Sequence, residues 1–241
     1  NDNLTMINIQ LSKLNSSDLN TIEKIKSIIV TIINKASDAM DKIIKYIDGD
    51  SNTPILQDYE DIGIVDITDN ILDTINSQVL ALSNNKITKI MIQELVNQEN
   101  IKNKAIDKII NYSSTDGSSD EPSLQDYIDA NITGVDENIL NLLNIQLKNS
   151  TDIDENNIQE LANKVIAMYK ITTYAKSNGS SEEPTVQDYM NAGVTGVADE
   201  NIVRLNIALK NSGETDVDTV EKIQVIVPLL LPANITINTQ N

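Results

Sequence analysis

Residues 122–147 read PSLQDYIDANITGVDENILNLLNIQL, and the fold can be predicted from the elements in this stretch. Pro122 suits the first turn of a helix, where its missing N–H costs no hydrogen bond. The residues after it predict a short helix over 124–130, which stops at Asn131 because asparagine tolerates positive φ. Asp136 is then expected to cap a second helix, as are Asp69 and Asp199 at the matching places elsewhere in the chain. The apolar residues of this helix recur at steps of three and four.

The same pattern occurs three times along the chain, and this repetition is the main feature of the sequence. Each copy has a Gln-Asp-Tyr triplet that begins three residues after a proline, then a turn, then a helical pattern with one asparagine among its apolar residues. A further asparagine stands in the same register near the start of the chain. The repeat positions are Gln57, Asp58, Tyr59, Gln125, Asp126, Tyr127, Gln187, Asp188, Tyr189, Asn8, Asn76, Asn144 and Asn206.

These positions have a structural and a functional interpretation. Because the triplet recurs at one structural position, we expect its Tyr to pack over a bundle while Asp and Gln satisfy backbone groups at helix ends and turns. A ligand or carbohydrate contact is the alternative. The asparagine is expected to be a partly buried amide that bonds the preceding turn or fixes helix register, as polar core positions can. A catalytic amide is its alternative.

Aligning these copies with one another divides the chain into units. Residues 2–11 match the second helix of the last copy in register, so the chain begins inside a repeat. Acidic, Ser- and Gly-containing joints separate the units, as linkers do. The predicted domains are a partial helical repeat over 1–50, helical repeats over 51–112, 113–178 and 179–227, and a tail over 228–241.

Each unit is predicted to contain a short helix and two longer ones. In the partial repeat over 1–50 the third helix carries an apolar stripe from Ile22 to Ile47, and its counterpart over 87–110 is expected to be interrupted at 98–100. The tail alternates polar with β-branched residues, which is typical of a strand. The predicted fold class is therefore all-α: tandem three-helix-bundle repeats in an extended array, with a short β-strand-like tail at the C-terminus.

The composition excludes several functions. With no Cys and no His, the chain has no thiol or imidazole nucleophile, base or zinc ligand. A formal charge of −18 and a single arginine, Arg204, argue against nucleic acid as a partner. No apolar run is long enough for a membrane span. We expect no enzyme activity, and a hydrolase or lyase that uses carboxylates alone is the weakest hypothesis.

The acidic joints raise the question of calcium, which binds six to eight oxygen ligands. The candidate ligands are Asp48, Asp50, Asp116, Asp120 and Glu121. They do not match the EF-hand pattern, because the spacing is irregular and the bidentate Glu is missing. A solvated linker is therefore preferred, and calcium is the one cofactor that these residues suggest.

A family resemblance rests on the third copy, in 184–189 (PTVQDY), 193–197 (GVTGV), the Asn-Ile and Leu-Asn pairs at 201–202 and 205–206, and 218–227 (DTVEKIQVIV). Together they resemble a short helical repeat of very large secreted bacterial surface proteins, the RTX-type and related adhesins. In that family such units alternate with immunoglobulin-like β-domains. The first copy departs from the pattern, because Asp66 stands where a second glycine is expected. The resemblance implies an extracellular, calcium-rich setting and a spacer or adhesive role, and it assigns no catalytic residue.

The sequence thus predicts a non-enzymatic structural or adhesive segment of an extracellular bacterial surface protein, an acidic helical stalk or assembly module. The expected partners are neighbouring domains of a longer chain or other copies of this one. The alternative is a self-assembling subunit of a surface layer or extracellular filament. In that case the N-terminal half-repeat and the C-terminal tail would make the contacts between subunits.

Overall fold

The computed structural model describes residues 2–82, 87–213 and 216–229, and all the regular secondary structure in them is helical. This confirms the all-α prediction. Residues 228 and 229, predicted to start the strand-like tail, belong to the last helix, and the rest of that tail lies outside the described residues. The helices are α1 (Asp2–Ser12), α2 (Ile22–Ile47), α3 (Leu56–Asp61), α4 (Asp69–Ala81), α5 (Lys89–Ser114), α6 (Leu124–Asp129), α7 (Glu137–Lys148), α8 (Ile158–Lys176), α9 (Val186–Ala192), α10 (Ile202–Lys210) and α11 (Val220–Leu229).

The chain forms two compact units, residues 1–103 and 104–241, whose boundary falls inside α5. The first unit contains one hydrophobic cluster, which we call the first core. Its residues come from the end of α2, from α3, from α4 and from the beginning of α5. They include Ala39, Ile43, Tyr59, Ile71, Ile75, Val79, Ile92 and Val96.

The second unit contains two clusters of the same construction. The second core combines the end of α5 with α6, α7 and the beginning of α8, and the third core combines the end of α8 with α9, α10 and α11. The helix α8 therefore serves both: Val165 belongs to the second core, and Ala167 to the third. Apolar residues follow one another closely enough along this helix to be buried on two sides.

Each core thus uses four helical segments, whereas the sequence predicted bundles of three. The extra segment is the end of the long helix that precedes the proline, as Ala39 and Ile43 illustrate in the first core. The cores are consequently offset from the repeat boundaries read from the sequence, because one long helix contributes to two successive clusters. The extended arrangement of the units stays a prediction.

Two local predictions were wrong. The helix α5 continues through 98–100, because Glu99 accepts a hydrogen bond from Gln78 (3.2 Å) and Asn100 donates one to the carbonyl of Asp66 (2.8 Å). The N-cap predictions were correct only for Asp136, whose carboxylate accepts from two backbone N–H groups of α7. The N-cap of α4 is Thr68 and that of α10 is Asn201, so Asp69 and Asp199 are not caps.

The turn after each short helix has two residues with positive φ, three positions apart. They are Gly63 and Asp66, Asn131 and Gly134, and Gly193 and Gly196. The first member of each pair stands where the sequence predicted a left-handed residue. Asp and Asn tolerate this region better than other side chains, which explains why they can stand where the other copies have glycine.

Candidate functional site

Each Gln-Asp-Tyr triplet lies at the start of a short helix, and its Asp side chain closes that helix end. The carboxylates of Asp58, Asp126 and Asp188 each accept a backbone N–H at 2.7 Å from the residue three positions earlier. In the second and third copies that residue is Ser123 or Thr185, whose hydroxyl accepts the N–H of the Asp in return. This reciprocal pairing is a capping box, which satisfies N–H groups that have no partner inside the helix.

The same Asp residues join the short helix to the long helix before it through an ion pair. The pairs are Lys42 with Asp58 (2.5 Å), Lys108 with Asp126 (2.6 Å) and Lys170 with Asp188 (2.9 Å). Partial burial opposes ionisation, but hydrogen bonds from the lysines and from the capping residues lower the pKa of Asp126 and of Asp188 below its usual range. These carboxylates are therefore charged at neutral pH and already have partners.

The Tyr of each triplet is fully buried and belongs to a second set of bonds. Its hydroxyl donates to the side-chain carbonyl of the repeated asparagine, whose amide donates to the carbonyl of the repeat's proline. The Tyr–Asn distances are 2.7 Å for Tyr59 and Asn76, 2.5 Å for Tyr127 and Asn144, and 2.5 Å for Tyr189 and Asn206. The Asn–Pro distances are 3.0 Å to Pro54, 2.9 Å to Pro122 and 2.9 Å to Pro184.

We call each set of Lys, Asp, Tyr, Asn and Pro a tyrosine–asparagine network. Burial raises the pKa of all three tyrosines, so their hydroxyls stay protonated and act as hydrogen-bond donors. A buried amide whose two ends are both bonded costs little, whereas an unpaired one is expensive. The geometry therefore favours the packing interpretation of Tyr and Asn over a ligand contact or a catalytic amide.

Two details differ from the predictions. The Gln of each triplet does not bond a backbone group: its amide donates to the side chain four residues later. These pairs are Gln57 with Asp61, Gln125 with Asp129, and Gln187 with Asn191. The repeated Asn bonds a proline carbonyl 22 residues earlier in the chain, as for Asn144 and Pro122, and not the preceding turn of its helix.

Sequence reasoning missed three glutamines that hold the turns. Each one accepts the backbone N–H and donates to the carbonyl of a single turn residue. Gln93 bonds Val65 (2.9 and 3.1 Å), Gln159 bonds Thr133 (2.8 and 3.2 Å) and Gln224 bonds Thr195 (2.8 and 3.0 Å). The available signal was an Ile-Gln pair at 92–93, 158–159 and 223–224. Its distance from the triplet varies between copies, so the three Ile-Gln pairs do not line up when the triplets are aligned.

Asn8 is the one repeat asparagine that departs from this scheme. Its counterparts Asn76, Asn144 and Asn206 are buried, but Asn8 is exposed on α1. The prediction of a partly buried amide was therefore wrong for Asn8. The physical reason is that the described residues place no tyrosine of a short helix against Asn8, whereas each of its counterparts accepts a hydrogen bond from such a tyrosine.

The five candidate calcium ligands lie in the joints, where two of them have protein partners. Asp50 accepts the backbone N–H of Asn52 at 2.9 Å, and Glu121 accepts from the amide of Asn144 at 3.1 Å. Asp48, Asp116 and Asp120 are exposed. Within the described ranges, no three acidic side chains come together as a metal site would require. Calcium binding stays a prediction.

Two apolar grooves among the described residues also follow the repeat. One, of about 480 Å³, includes Ile28 and Ile32 of α2, and the other, of about 250 Å³, includes Leu161 and Val165 of α8. These residues occupy matching positions on their helices. A groove that recurs with the packing is a consequence of the architecture and does not by itself indicate a ligand.

Comparison of the chain with protein-family models, with curated proteins and with solved structures found no match. Among the helices of the described residues, none has both the length and the apolar character that crossing a membrane demands.

Proposed function

We propose that this chain is a non-enzymatic structural segment of an extracellular bacterial surface protein, in which acidic helical units act as a stalk or assembly module. The observation that carries the proposal is the tyrosine–asparagine network, which recurs in all three cores with its polar groups bonded to one another. The resemblance to the repeats of RTX-type adhesins supplies the extracellular and bacterial setting.

The repetition itself supports a scaffold role. A catalytic site needs a group that is free to meet the substrate, and it is normally built once in a chain. Here Tyr127 and its two counterparts are buried, protonated and bonded to an asparagine. Stability in a repeat protein comes from each unit and its contacts with neighbours, so a network reproduced in each core is what a spacer requires.

The charge of the chain supports the same role. A formal charge of −18 keeps a chain soluble and opposes nonspecific association through repulsion between like charges. The exposed acidic joints, such as those around Asp48 and Asp116, are where calcium would reduce that repulsion. We therefore expect calcium bound at the joints to stiffen the array.

Solution scattering combined with analytical ultracentrifugation tests the proposal. For a stalk we expect an elongated monomer whose scattering profile does not change with protein concentration, with calcium or a chelator altering only its stiffness. A compact globular profile would contradict the stalk.

The second candidate is a self-assembling subunit of a surface layer or filament. It is favoured by the exposed apolar side chains at the beginning of α2, such as Ile22 (66% exposed) and Val30 (56% exposed). For this candidate, the same measurements would show growth into polymers as the concentration rises. The contact that the sequence predicted for the C-terminal tail falls outside the described residues.

A further inference from the structure

The beginning of α2 repeats, in sequence and in capping, the helices that complete the cores. Residues 21–25 read TIEKI and residues 219–223 read TVEKI. The hydroxyl of Thr21 accepts the N–H of Lys24 at 3.2 Å, as the hydroxyl of Thr219 accepts that of Lys222 at 3.3 Å. In α5 the hydroxyl of Thr88 likewise accepts the N–H of Met91, three residues later, at 3.3 Å. The capping bond fixes the register, so equivalent positions can be compared directly.

Equivalent positions have different burial. Four residues after the cap, Ile92 and Ile223 are completely buried, and Ile158 holds the matching place in α8 directly before its turn-clamping glutamine. Each of the three isoleucines is 0% exposed. Ile25 holds this position in α2 and is only half-buried. Four residues further, Val96, Ala162 and Val227 are buried, whereas Ile29 is again half-buried. The beginning of α2 therefore has the apolar pattern of a core helix without the burial.

The helix α1 shows the same difference. Its Asn8 aligns with the three network asparagines, and Ile7 and Leu11 flank it as Leu205 and Leu209 flank Asn206. Leu205 and Leu209 are buried, but Ile7 and Leu11 are half-buried and Asn8 is exposed. Together α1 and residues 22–33 of α2 form half of a core, which we call the open face.

The three complete cores show what covers such a face. In each one, the end of a long helix and the proline-led short helix pack over the two helices that follow. The Tyr of the short helix bonds the Asn on the first of those two helices. In the second core this cover comprises residues 104–129, including Ala105, Ile109 and Tyr127. We call this combination a cover segment.

We propose that the open face binds a fourth cover segment, which belongs to a further unit of the same repeat type. The occupant is a helix followed by a Pro-x-x-Gln-Asp-Tyr short helix, whose Tyr hydroxyl donates to the carbonyl oxygen of Asn8. This inference rests on the proposed function, because it assumes that units of one type follow one another. It identifies the partner by the contacts that the other three cores make.

One position of the open face differs from its counterparts and provides a sharp test. Lys26 stands where Gln224 clamps the turn of its unit through one accepted and one donated hydrogen bond. A lysine has donors only, so it can reach the carbonyl of a turn but cannot accept its N–H. Lys26→Gln should therefore tighten binding of a cover segment that includes its turn.

The experiment measures binding of a labelled peptide of residues 104–135 to the full chain by fluorescence anisotropy. We expect saturable binding, weakened about tenfold by Asn8→Ala because a buried hydrogen bond is lost, and strengthened about threefold by Lys26→Gln. Tyr127→Phe in the peptide should weaken binding to the unmodified chain but add little to the effect of Asn8→Ala. Such coupling indicates that the two groups meet.

Ile25→Asp on the open face should abolish binding, and Val225→Asp is its matched control. Val225 is 69% exposed on α11, so its replacement introduces the same charge away from the face. Equal binding by both variants would mean that the peptide exchanges into an existing core, and would overturn the proposal. Copies of the chain could instead pair through the open face and block the peptide. That outcome would also overturn the proposal.

A peptide must pay the entropy of folding into helices, so a second measurement joins the cover segment to the chain. Residues 104–137 are placed directly ahead of Asp2, which takes the place of Asn138 and keeps the 17-residue spacing between Tyr127 and the network asparagine. We expect amide exchange over residues 22–33 to slow by about tenfold or more, because the face becomes a closed core. A matched fusion with Tyr127→Phe in the added segment should slow it less.

Unchanged exchange in the fusion, together with no peptide binding, would reject the docking face. The scattering experiment is separate: an elongated monomer without docking would keep the stalk and remove this inference. A compact monomer whose open face still binds the peptide would contradict the stalk and keep this inference.

Discussion

Replacing Tyr127 by phenylalanine removes one hydroxyl from the centre of the second core and leaves the ring. The ring is 0% exposed, and the hydroxyl donates to the carbonyl oxygen of Asn144. Phenylalanine can fill the same space, so the packing of the ring should survive. The oxygen of Asn144 then loses its donor in a buried position where water does not easily replace it.

The free energy of unfolding is expected to fall by about 1–3 kcal/mol. A buried acceptor without a partner has been removed from water and has no hydrogen bond to offset that desolvation. Tyr59→Phe and Tyr189→Phe should cost about as much, since both rings are 0% exposed and both hydroxyls bond the equivalent asparagine. The three variants therefore act as internal replicates of one measurement.

The assay is urea denaturation followed by far-UV circular dichroism, with Tyr169→Phe as the matched control. Tyr169 is a half-buried tyrosine of α8 outside the three networks, and its variant should stay within about 0.5 kcal/mol of the unmodified chain. A double-mutant cycle with Asn144→Ala should give a coupling energy of about 1 kcal/mol or more.

The reasoning would be refuted if Tyr127→Phe were as mild as Tyr169→Phe. The hydroxyl would then contribute nothing to stability, and its recurrence in three copies would need another cause. A ligand contact would become the better interpretation of the triplet. A loss in only one of the three copies would show that the networks are not equivalent.

Three further predictions concern the turns and the tyrosine hydroxyls. Gly134→Ala should destabilise the second unit by about 1–2 kcal/mol, because φ is +81° and the new Cβ would lie 2.8 Å from Cδ1 of Ile166; Gly193→Ala, with open space around its Cβ, should cost less in the same denaturation assay. Gln159→Ala should speed amide exchange at Thr133 and lower stability by about 0.5–1.5 kcal/mol, since both hydrogen bonds to the backbone of that residue are lost. Alkaline pH should leave stability unchanged up to about pH 10 and lower it above that value, because burial raises the pKa of the three network tyrosines above that of unfolded tyrosine. Absorbance of tyrosinate should then show these three ionising only as the chain unfolds, and early ionisation would contradict their burial.

Much of the local structure could be predicted from the sequence. The helix from Ile22 to Ile47, the short helix after each proline and the left-handed residue at Asn131 follow from neighbouring residues alone. Apolar spacing, capping side chains and a tolerance for positive φ act within a few residues, so a linear pattern reveals them. The recurrence of the triplet also indicated a structural role before any contact was known.

Prediction failed where distant residues decide the outcome. Gln98, Glu99 and Asn100 look like an interruption of α5, yet the helix continues because Gln78 and Asp66 satisfy Glu99 and Asn100 from other elements. The spacing between the triplet and the turn-clamping glutamines varies, so a search for a fixed period could not connect them.

The sequence by itself determined that this chain is helical and that a Gln-Asp-Tyr triplet and an asparagine recur at matching places along it. Only the tertiary structure decided what that asparagine does: Asn144 bonds Tyr127 and the carbonyl of Pro122, while Asn8 is left exposed. It also decided that one helix, α8, serves two cores. The physical reason is that burial depends on which segments meet, so identical side chains have different surroundings when different segments pack against them.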